Sequence, residues 1–278
     1  MDGLDVLAAL TSALLHAGWN AAVKASRDPP QAMTAQMVLS AVLVLPGFLW
    51  TGLPDLAAWP WIVASTAMNV VTVGALLRAY ELAGFGLAYP VVRAVAVLLV
   101  VPLAALLVGG LPGWTALGGI AVIALALAVL AFDAARDRGL PLAAVGWIAA
   151  AGLGTAAYIL CDARGVRASG SPWAYGFVVS VTNALAMSWR RRREGAPWHQ
   201  VRAQWRLALP AATAAVTSYL LILWVWSHAP IAPAAALRDT SALFAIVIAV
   251  LFLKEPLTPR RVLAVLLAAV AIPMLRLG

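Results

Sequence analysis

Residues Leu87–Gly110 have the sequence LAYPVVRAVAVLLVVPLAALLVGG, and this stretch decides the class of fold. It is apolar and long enough to cross a bilayer, for which a helix needs about 20 residues. It nevertheless carries one full charge, Arg93. A charge at that depth costs about 3 kcal/mol on insertion scales, so it must face a polar cavity or a partner. A second apolar run, Pro233–Leu253, has Arg238 in the same relative place.

The composition of the whole chain also indicates membrane-spanning segments. Of its 278 residues, 64% are hydrophobic and only 11% are charged, whereas soluble domains have about 25% charged residues. The net charge of +8 raises the alternative of a nucleic-acid-binding protein. The basic residues, however, lie in short loops between apolar runs, which favours orientation in a membrane over nucleic acid as a partner. We therefore expect an integral membrane protein whose partners are the lipid bilayer and a small-molecule substrate.

Ten apolar runs are long enough to be spans. Helices are expected for all of them, because backbone polar groups in lipid must be satisfied within the segment. The predicted fold is therefore an all-α polytopic membrane protein. The ten spans lie at about Leu4–Val23, Ala32–Trp50, Ala58–Tyr80, Leu87–Val108, Trp114–Phe132, Leu142–Cys161, Ser171–Trp189, Leu207–Trp226, Pro233–Leu253 and Val262–Leu275.

The basic residues predict the orientation of these spans. Fourteen of the 19 lysines and arginines lie at the ends of spans 1, 3, 5, 7 and 9 or in the loops that follow them, and three lie on the opposite side. The remaining two are Arg93 and Arg238. The positive-inside rule places the first set in the cytoplasm. We expect a multi-pass protein of the inner membrane with both termini outside.

An internal duplication is also predicted. A shift of 145 residues overlays the fourth span on the ninth without a gap and places Arg93 on Arg238. Because each half has five spans, an odd number, the second half enters the membrane with the opposite orientation. Inverted repeats of this kind are typical of secondary transporters, which bind substrate near the midplane between the repeats. The predicted units are residues 1–132, a connecting loop at 133–141, and residues 142–278, arranged around a central cavity.

Polar residues on the first span form one helical face. Ser12, His16, Trp19 and Asn20 are three or four residues apart, and a polar face in a membrane helix points into the bundle. Two interpretations are open: these residues line a cavity, or they make hydrogen bonds that hold helices together. We favour the cavity, because His, Trp and Asn together offer more polar groups than one helix contact needs.

Three further spans carry candidate residues. Thr155, Tyr158 and Asp162 share a face of the sixth span, although Asp162 is near a predicted end, where simple solvation is an equal alternative. In the fourth span Tyr89 and Arg93 face the same way. Two guanidinium groups in one cavity, Arg93 and Arg238, would suit carboxylates or other anions. The alternative is that each arginine pairs with an acid of the protein or with backbone carbonyls.

Several chemistries lack their motifs in this sequence. It has no Walker loop, no His-Glu-x-x-His and no Gly-x-Ser-x-Gly, so we expect neither an ATP-driven pump nor an enzyme. Its three histidines lie on separate elements, and Cys161 is its only cysteine. We therefore predict no catalytic residues, no cofactor and no metal site.

The motifs resemble those of a known transporter family. They are His16-Ala-Gly-Trp19-Asn20-Ala-Ala-Val-Lys24, Gly86-Leu-Ala-Tyr89-Pro90-Val-Val-Arg93, Tyr158-Ile-Leu-Cys-Asp162 and Leu-Lys254-Glu255-Pro256-Leu-Thr258. With these features the chain resembles the drug/metabolite transporter (DMT) superfamily in its ten-span EamA branch, and within it the YddG-type amino-acid exporters. Many relatives have an acid after the fourth span, where this chain has Gly110, so symmetrical roles for the loops after spans four and nine are not expected.

The resemblance implies two inverted five-span repeats that form a basket, and export of amino acids or related metabolites by alternating access. The expected substrate-binding residues are His16, Trp19, Asn20, Tyr89, Arg93, Tyr158, Asp162 and Arg238. We expect a monomer. Two alternatives remain at this point: a flippase for lipid-linked sugars or a drug exporter, and a membrane-embedded enzyme that acts on a polyprenyl phosphate. The enzyme would need a clustered acidic motif in the loops, which the sequence does not contain.

Overall fold

The structure is a computed structural model that describes residues 1–108, 112–135, 141–253 and 258–277. In these ranges the chain forms α-helices and short 3₁₀ turns, and no described residue lies in a β-strand. The helices are α1 (Gly3–Lys24), α2 (Pro29–Val44), α3 (Phe48–Thr51), α4 (Trp59–Ala83), α5 (Phe85–Val108), α6 (Trp114–Ala135), α7 (Leu142–Arg167), α8 (Pro172–Arg190), α9 (Pro197–His228), α10 (Ile231–Asp239), α11 (Ser241–Leu253) and α12 (Pro259–Leu277).

Seven helical segments of the described chain are long and apolar enough to cross a membrane. They are Gly3–Lys24, Pro29–Thr51, Leu56–Ala83, Leu87–Ala105, Trp114–Asp133, Leu142–Arg167 and Pro197–His228. Helices also occupy the other three predicted spans, as α8, as α10 with α11, and as α12. Ten crossings in two inverted repeats stay a prediction. Gly110, Lys254, Glu255 and most of the predicted connecting loop lie outside the described residues.

Polar caps explain where several helices begin. Asp2 accepts a hydrogen bond from the backbone N–H of Asp5, and the Asp5 carboxylate accepts one from the N–H of Asp2. This reciprocal capping box satisfies two backbone donors that a helix start leaves without partners. Asp28 caps α2 and Ser171 caps α8 in the simpler way, each accepting a bond from the backbone N–H three residues later.

The ninth predicted span is not one continuous helix. α10 ends at Asp239 and α11 begins at Ser241, so Thr240 separates them. The Thr240 hydroxyl donates to the Leu237 carbonyl over 2.6 Å, and the Thr240 backbone N–H bonds to the same oxygen. These i to i−3 bonds tighten the chain into a 3₁₀-like turn. The break comes directly after Arg238 and Asp239, and broken helices at membrane depth occur where they line a protein-enclosed cavity.

The two predicted halves pack against each other along most of their helices. α1 and α2 contact α9, α4 contacts α7, and α6 contacts α12. Polar contacts join α1 to α9 near the middle of α1: Ser12 and Ser218 each donate a hydrogen bond to the other's carbonyl, at 2.7 and 2.8 Å. For Ser12 the structure therefore supports the interhelical alternative rather than cavity lining.

We expect a disulfide to form between α1 and α9 when Ser12 and Ser218 are both replaced by cysteine in a Cys161→Ala background. The two Oγ atoms are 3.1 Å apart, and a disulfide needs Cβ atoms about 3.5–4.5 Å apart. After mild oxidation, mass spectrometry should find the cross-linked peptides and no thiol should remain to alkylate. The single Ser12→Cys and Ser218→Cys variants serve as controls. Full alkylation of the oxidised double variant would contradict this helix packing.

Candidate functional site

One cavity of about 160 Å³ lies between helices of both halves. Its lining comes from α1, α2, α4, α5, α7, α8, α9 and α10. The structure brings together there every residue that the sequence analysis expects at the substrate site: His16, Trp19, Asn20, Tyr89, Arg93, Tyr158, Asp162 and Arg238. That these residues bind a substrate stays a prediction.

The polar face of α1 lies against this cavity. The Asn20 side-chain amide donates to the His16 carbonyl over 2.8 Å. The His16 and Trp19 rings meet edge to face, with centroids 5.1 Å apart. His16 Nε2 also contacts a terminal guanidinium nitrogen of Arg93. These contacts fix the orientation of the imidazole beside the arginine.

Arg93 is held by the protein itself. Its Nη1 donates to Asp239 Oδ1 over 2.9 Å, and its guanidinium lies 5.2 Å from the centroid of the Tyr89 ring. Arg93 and Asp239 are both buried, with exposed fractions of 7% and 1%. A buried arginine that is paired and bonded in this way has most of its charge compensated. For Arg93 the structure therefore supports the alternative of pairing with a protein acid.

Arg238 has different surroundings, although it precedes Asp239 in the chain. It is 5% exposed, and its guanidinium carbon lies 5.6 Å from the centroid of the Trp226 ring. Its Nε and Nη1 are buried and have no hydrogen-bond partner in the part of the chain that the structure describes. Asp239 Oδ2 is buried without a hydrogen-bond partner as well. The sequence presents the two arginines as equivalent, but their surroundings in the structure differ. The charge of Arg93 is compensated by Asp239, whereas Arg238 has N–H donors without a hydrogen-bond partner among the described residues.

Asp162 is buried in the bundle rather than solvated, with an exposed fraction of 1%. Three hydroxyls donate to its carboxylate: Ser65 to Oδ1 over 2.5 Å, Tyr175 to Oδ1 over 3.1 Å and Tyr219 to Oδ2 over 2.9 Å. The donors come from α4, α8 and α9, so one acid of α7 joins four helices. The sequence analysis did not identify these three partners, because their distances along the chain carry no periodic signal.

We expect Tyr175→Phe to lower the free energy of unfolding by about 1.5–3 kcal/mol, the usual worth of a hydrogen bond to a charged group. The Tyr175 ring is fully buried, so the substitution removes the hydroxyl and keeps the packing. Unfolding by sodium dodecyl sulfate in mixed micelles measures the change. Tyr158→Phe is the matched control, since the structure gives the Tyr158 hydroxyl no hydrogen bond to Asp162. Equal stability of Tyr175→Phe and the wild type would contradict this role.

A second, larger cavity of about 890 Å³ adjoins the first. Both cavities have Asn20, Met33 and Val73 in their linings. The larger one lies at the C-terminal ends of α1, α4 and α8, where its wall includes four basic residues, Lys24, Arg78, Arg190 and Arg191. The larger cavity therefore lies next to the central one, on the side whose loops carry most of the positive charge.

At the N-terminal end of α1, polar contacts join α1, α7 and α9. Asp5 Oδ1 and His228 Nε2 are 2.8 Å apart, which joins the start of α1 to the end of α9. Arg167, in the last turn of α7, donates to the backbone carbonyls of Trp226 and Ala229 over 2.9 and 2.7 Å. Polar contacts thus join α1, α7 and α9 on the side away from the larger cavity.

Comparison with known proteins finds a family match in the second half of the chain. Residues 142–277 match the model of the EamA-like transporter family. Members of this family are transporters rather than enzymes. Together with the apolar helices, the match indicates a multi-pass membrane protein and suggests a membrane transporter of small molecules. The part of the resemblance that rests on residues before Leu142 lies outside the matched range.

The fold also has a solved counterpart. A protein of known crystal structure superposes with a TM-score of 0.76 over 100% of this chain and 98% of its own length. Its sequence is 17% identical, so the likeness concerns the fold alone. No curated protein sequence matches the chain.

Proposed function

We propose that the protein is a secondary transporter that exports amino acids or related small metabolites by alternating access. One observation carries this proposal: helices of both halves line a cavity that has several polar side chains in its wall and adjoins a larger cavity on one side of the molecule. Ligand sites in proteins are concave, largely apolar and furnished with a few convergent polar groups. The EamA-like match of residues 142–277 supports the same function.

The proposal includes the finer expectations from the sequence. The chain crosses the inner membrane ten times as two inverted repeats, both termini lie outside, and His16, Trp19, Asn20, Tyr89, Arg93, Tyr158, Asp162 and Arg238 line the substrate site. YddG-type exporters are the relatives that the motifs favour. Because the larger cavity lies beside Lys24, Arg78, Arg190 and Arg191, the positive-inside rule makes this side cytoplasmic. In this proposal substrate enters from the cytoplasm on the side of the larger cavity.

Uptake into liposomes tests the function. We expect the purified, reconstituted protein to move at least one labelled amino acid of a broad panel faster than protein-free liposomes do. The assay is run with and without a pH gradient, and a difference between the two would identify coupling to protons. The same liposomes are assayed for flipping of a fluorescent lipid-linked sugar. Flipping without amino-acid movement would contradict the proposal and favour the flippase alternative.

A further inference from the structure

The central cavity contains one strongly polar side chain whose donors the protein leaves unsatisfied. Arg238 lines the cavity, is 5% exposed, and has two buried nitrogens, Nε and Nη1, without a hydrogen-bond partner among the described residues. Most buried polar groups in native proteins are paired, and leaving one unpaired costs about 1–3 kcal/mol, more for a charged group. An arrangement of this kind calls for a group that the protein itself does not supply.

No described protein group hydrogen-bonds to Nε or Nη1 of Arg238. Trp226 lies against the guanidinium at 5.6 Å and is itself fully buried. A cation–π contact uses the face of the aromatic ring and is not a hydrogen bond, and the guanidinium N–H groups point outward within their own plane. A carboxylate binds arginine through two parallel N–H bonds, along the side edge or the end edge. The side edge includes Nε and the end edge includes Nη1. Both atoms are buried in this structure, so a carboxylate that bonds to either of them requires a local shift of the surrounding side chains.

The neighbouring acids do not replace such a ligand. Asp239 gives Oδ1 to Arg93 rather than to Arg238. Asp162 is occupied by Ser65, Tyr175 and Tyr219. Both acids interact with Arg238 electrostatically but do not hydrogen-bond to it. The two acids therefore lie near the positive charge of Arg238 but accept no hydrogen bond from its N–H groups.

The charge of the buried groups narrows the kind of ligand. Arg93, Arg238, Asp162 and Asp239 are each less than one-tenth exposed. With both acids ionised, they carry two positive and two negative charges. A ligand without net charge keeps this balance, whereas a simple anion would add an uncompensated charge to a poorly solvated site. A zwitterion has a carboxylate that can bond to Arg238, and its net charge is zero, so it keeps the charge balance of the site.

We propose that Arg238 binds the carboxylate of a zwitterionic α-amino acid, and that Arg93 does not contact the substrate carboxylate. This inference rests on the proposed function and names the group that selects the substrate. It assigns different roles to the two buried arginines: Arg93 stabilises the fold through Asp239, and Arg238 recognises the ligand. The carboxylate becomes the group on which affinity depends.

Thermal unfolding of the detergent-purified protein tests this assignment without any transport step. The probes are the standard L-amino acids, each compared with its own α-carboxamide, which keeps the side chain and the ammonium but lacks the carboxylate. We expect at least one amino acid to raise the melting temperature and its carboxamide to bind about tenfold to a hundredfold more weakly, which corresponds to one hydrogen bond to a charged group. This comparison uses the wild-type chain and does not depend on a folded variant.

Arg238→Gln and Arg238→Lys extend the test to the residue. We expect the glutamine variant to lose the preference for the amino acid over its carboxamide, and the lysine variant to keep part of it. Arg193→Gln is the matched control, because Arg193 is an exposed arginine in the connection between α8 and α9. It should bind as the wild type does.

Three results would overturn the assignment: equal stabilisation by amino acid and carboxamide, an unchanged preference in folded Arg238→Gln, or no stabilisation by any amino acid. Its failure is distinguishable from failure of the proposed function. If the liposomes move amino acids while Arg238→Gln keeps the carboxylate preference, the transporter stands and the role of Arg238 falls. If amino acids bind through Arg238 and none crosses the liposome membrane, the binding site stands and the transport function falls.

Discussion

Arg93→Ala is expected to lower the free energy of unfolding by about 3–5 kcal/mol, because breaking a buried ion pair leaves its partner charge uncompensated. The partner is Asp239, whose exposed fraction is 1% and whose Oδ2 has no hydrogen bond among the described residues. Removing Arg93 takes away the bond at Oδ1 as well. Unfolding by sodium dodecyl sulfate in mixed micelles measures the loss.

A double-mutant cycle separates the pair from the individual side chains. Asp239→Leu should be similarly destabilising, because it leaves Arg93 buried without its acid. Arg93→Met combined with Asp239→Leu should lose less than the sum of Arg93→Met and Asp239→Leu measured singly, since replacing both charges by apolar groups removes the desolvation cost with the attraction. Strictly additive losses would contradict a direct interaction.

An exposed ion pair on α4 supplies the control. Arg78 and Glu81 are in contact at 2.5 Å, but their side chains are 55% and 61% exposed. Exposed pairs contribute about 0–1 kcal/mol, so Arg78→Ala should change the stability far less than Arg93→Ala does. An equal loss in both variants would mean that burial of the Arg93 pair has no effect.

The positions of the candidate residues followed from the sequence because helical spacing is a local property. Residues three or four apart share a face whatever the rest of the chain does. That rule placed His16, Trp19 and Asn20 together, and it placed Tyr89 with Arg93. The cost of polar groups in lipid then directed those faces toward the interior. For this reason eight of the residues that line the cavity could be predicted before its shape was known.

The partners of the buried charges could not be predicted in this way. Nothing in the spacing selects Arg93 as the partner of Asp239, because the two residues are 146 positions apart in the chain. The same holds for the hydroxyls around Asp162, which come from three other helices. Contacts between helices depend on how the helices pack in the bundle, and this packing cannot be derived from the spacing of residues in one sequence.

The helix break at Thr240 could not be predicted from the sequence either. By hydropathy, the sequence from Pro233 to Leu253 is one apolar run. In the structure, however, α10 ends at Asp239. The Thr240 hydroxyl makes this turn by bonding to the Leu237 carbonyl. α5, which carries Arg93, is continuous from Phe85 to Val108 despite Pro90 and Pro102. Arg93 and Arg238 therefore lie on helices of different local geometry, and the two differ in their bonding as well.

Filling the cavity should abolish transport. Ala215 lies on α9 and lines the central cavity. A tryptophan there would occupy space that a substrate needs, in a cavity of only about 160 Å³. Because Ala215 faces the cavity rather than a packed core, we expect Ala215→Trp to fold, with a loss of stability of at most about 1–3 kcal/mol, the usual cost of overpacking. The substitution leaves every buried charge in place, so a loss of uptake would come from the obstruction.

The matched control is on the same helix. Thr213 is two residues before Ala215 and is exposed on the outside of the bundle. Thr213→Trp adds a similar side chain away from the cavity. Size-exclusion chromatography and thermal unfolding verify that both variants are folded before they are reconstituted at equal protein density.

The central claim is that substrate passes through the cavity between the two halves, and initial uptake of labelled amino acid into liposomes tests it most directly. The wild type and Thr213→Trp are predicted to take up the amino acid at similar initial rates, while folded Ala215→Trp takes up no more than protein-free liposomes. Uptake by folded Ala215→Trp at the wild-type rate would contradict the account.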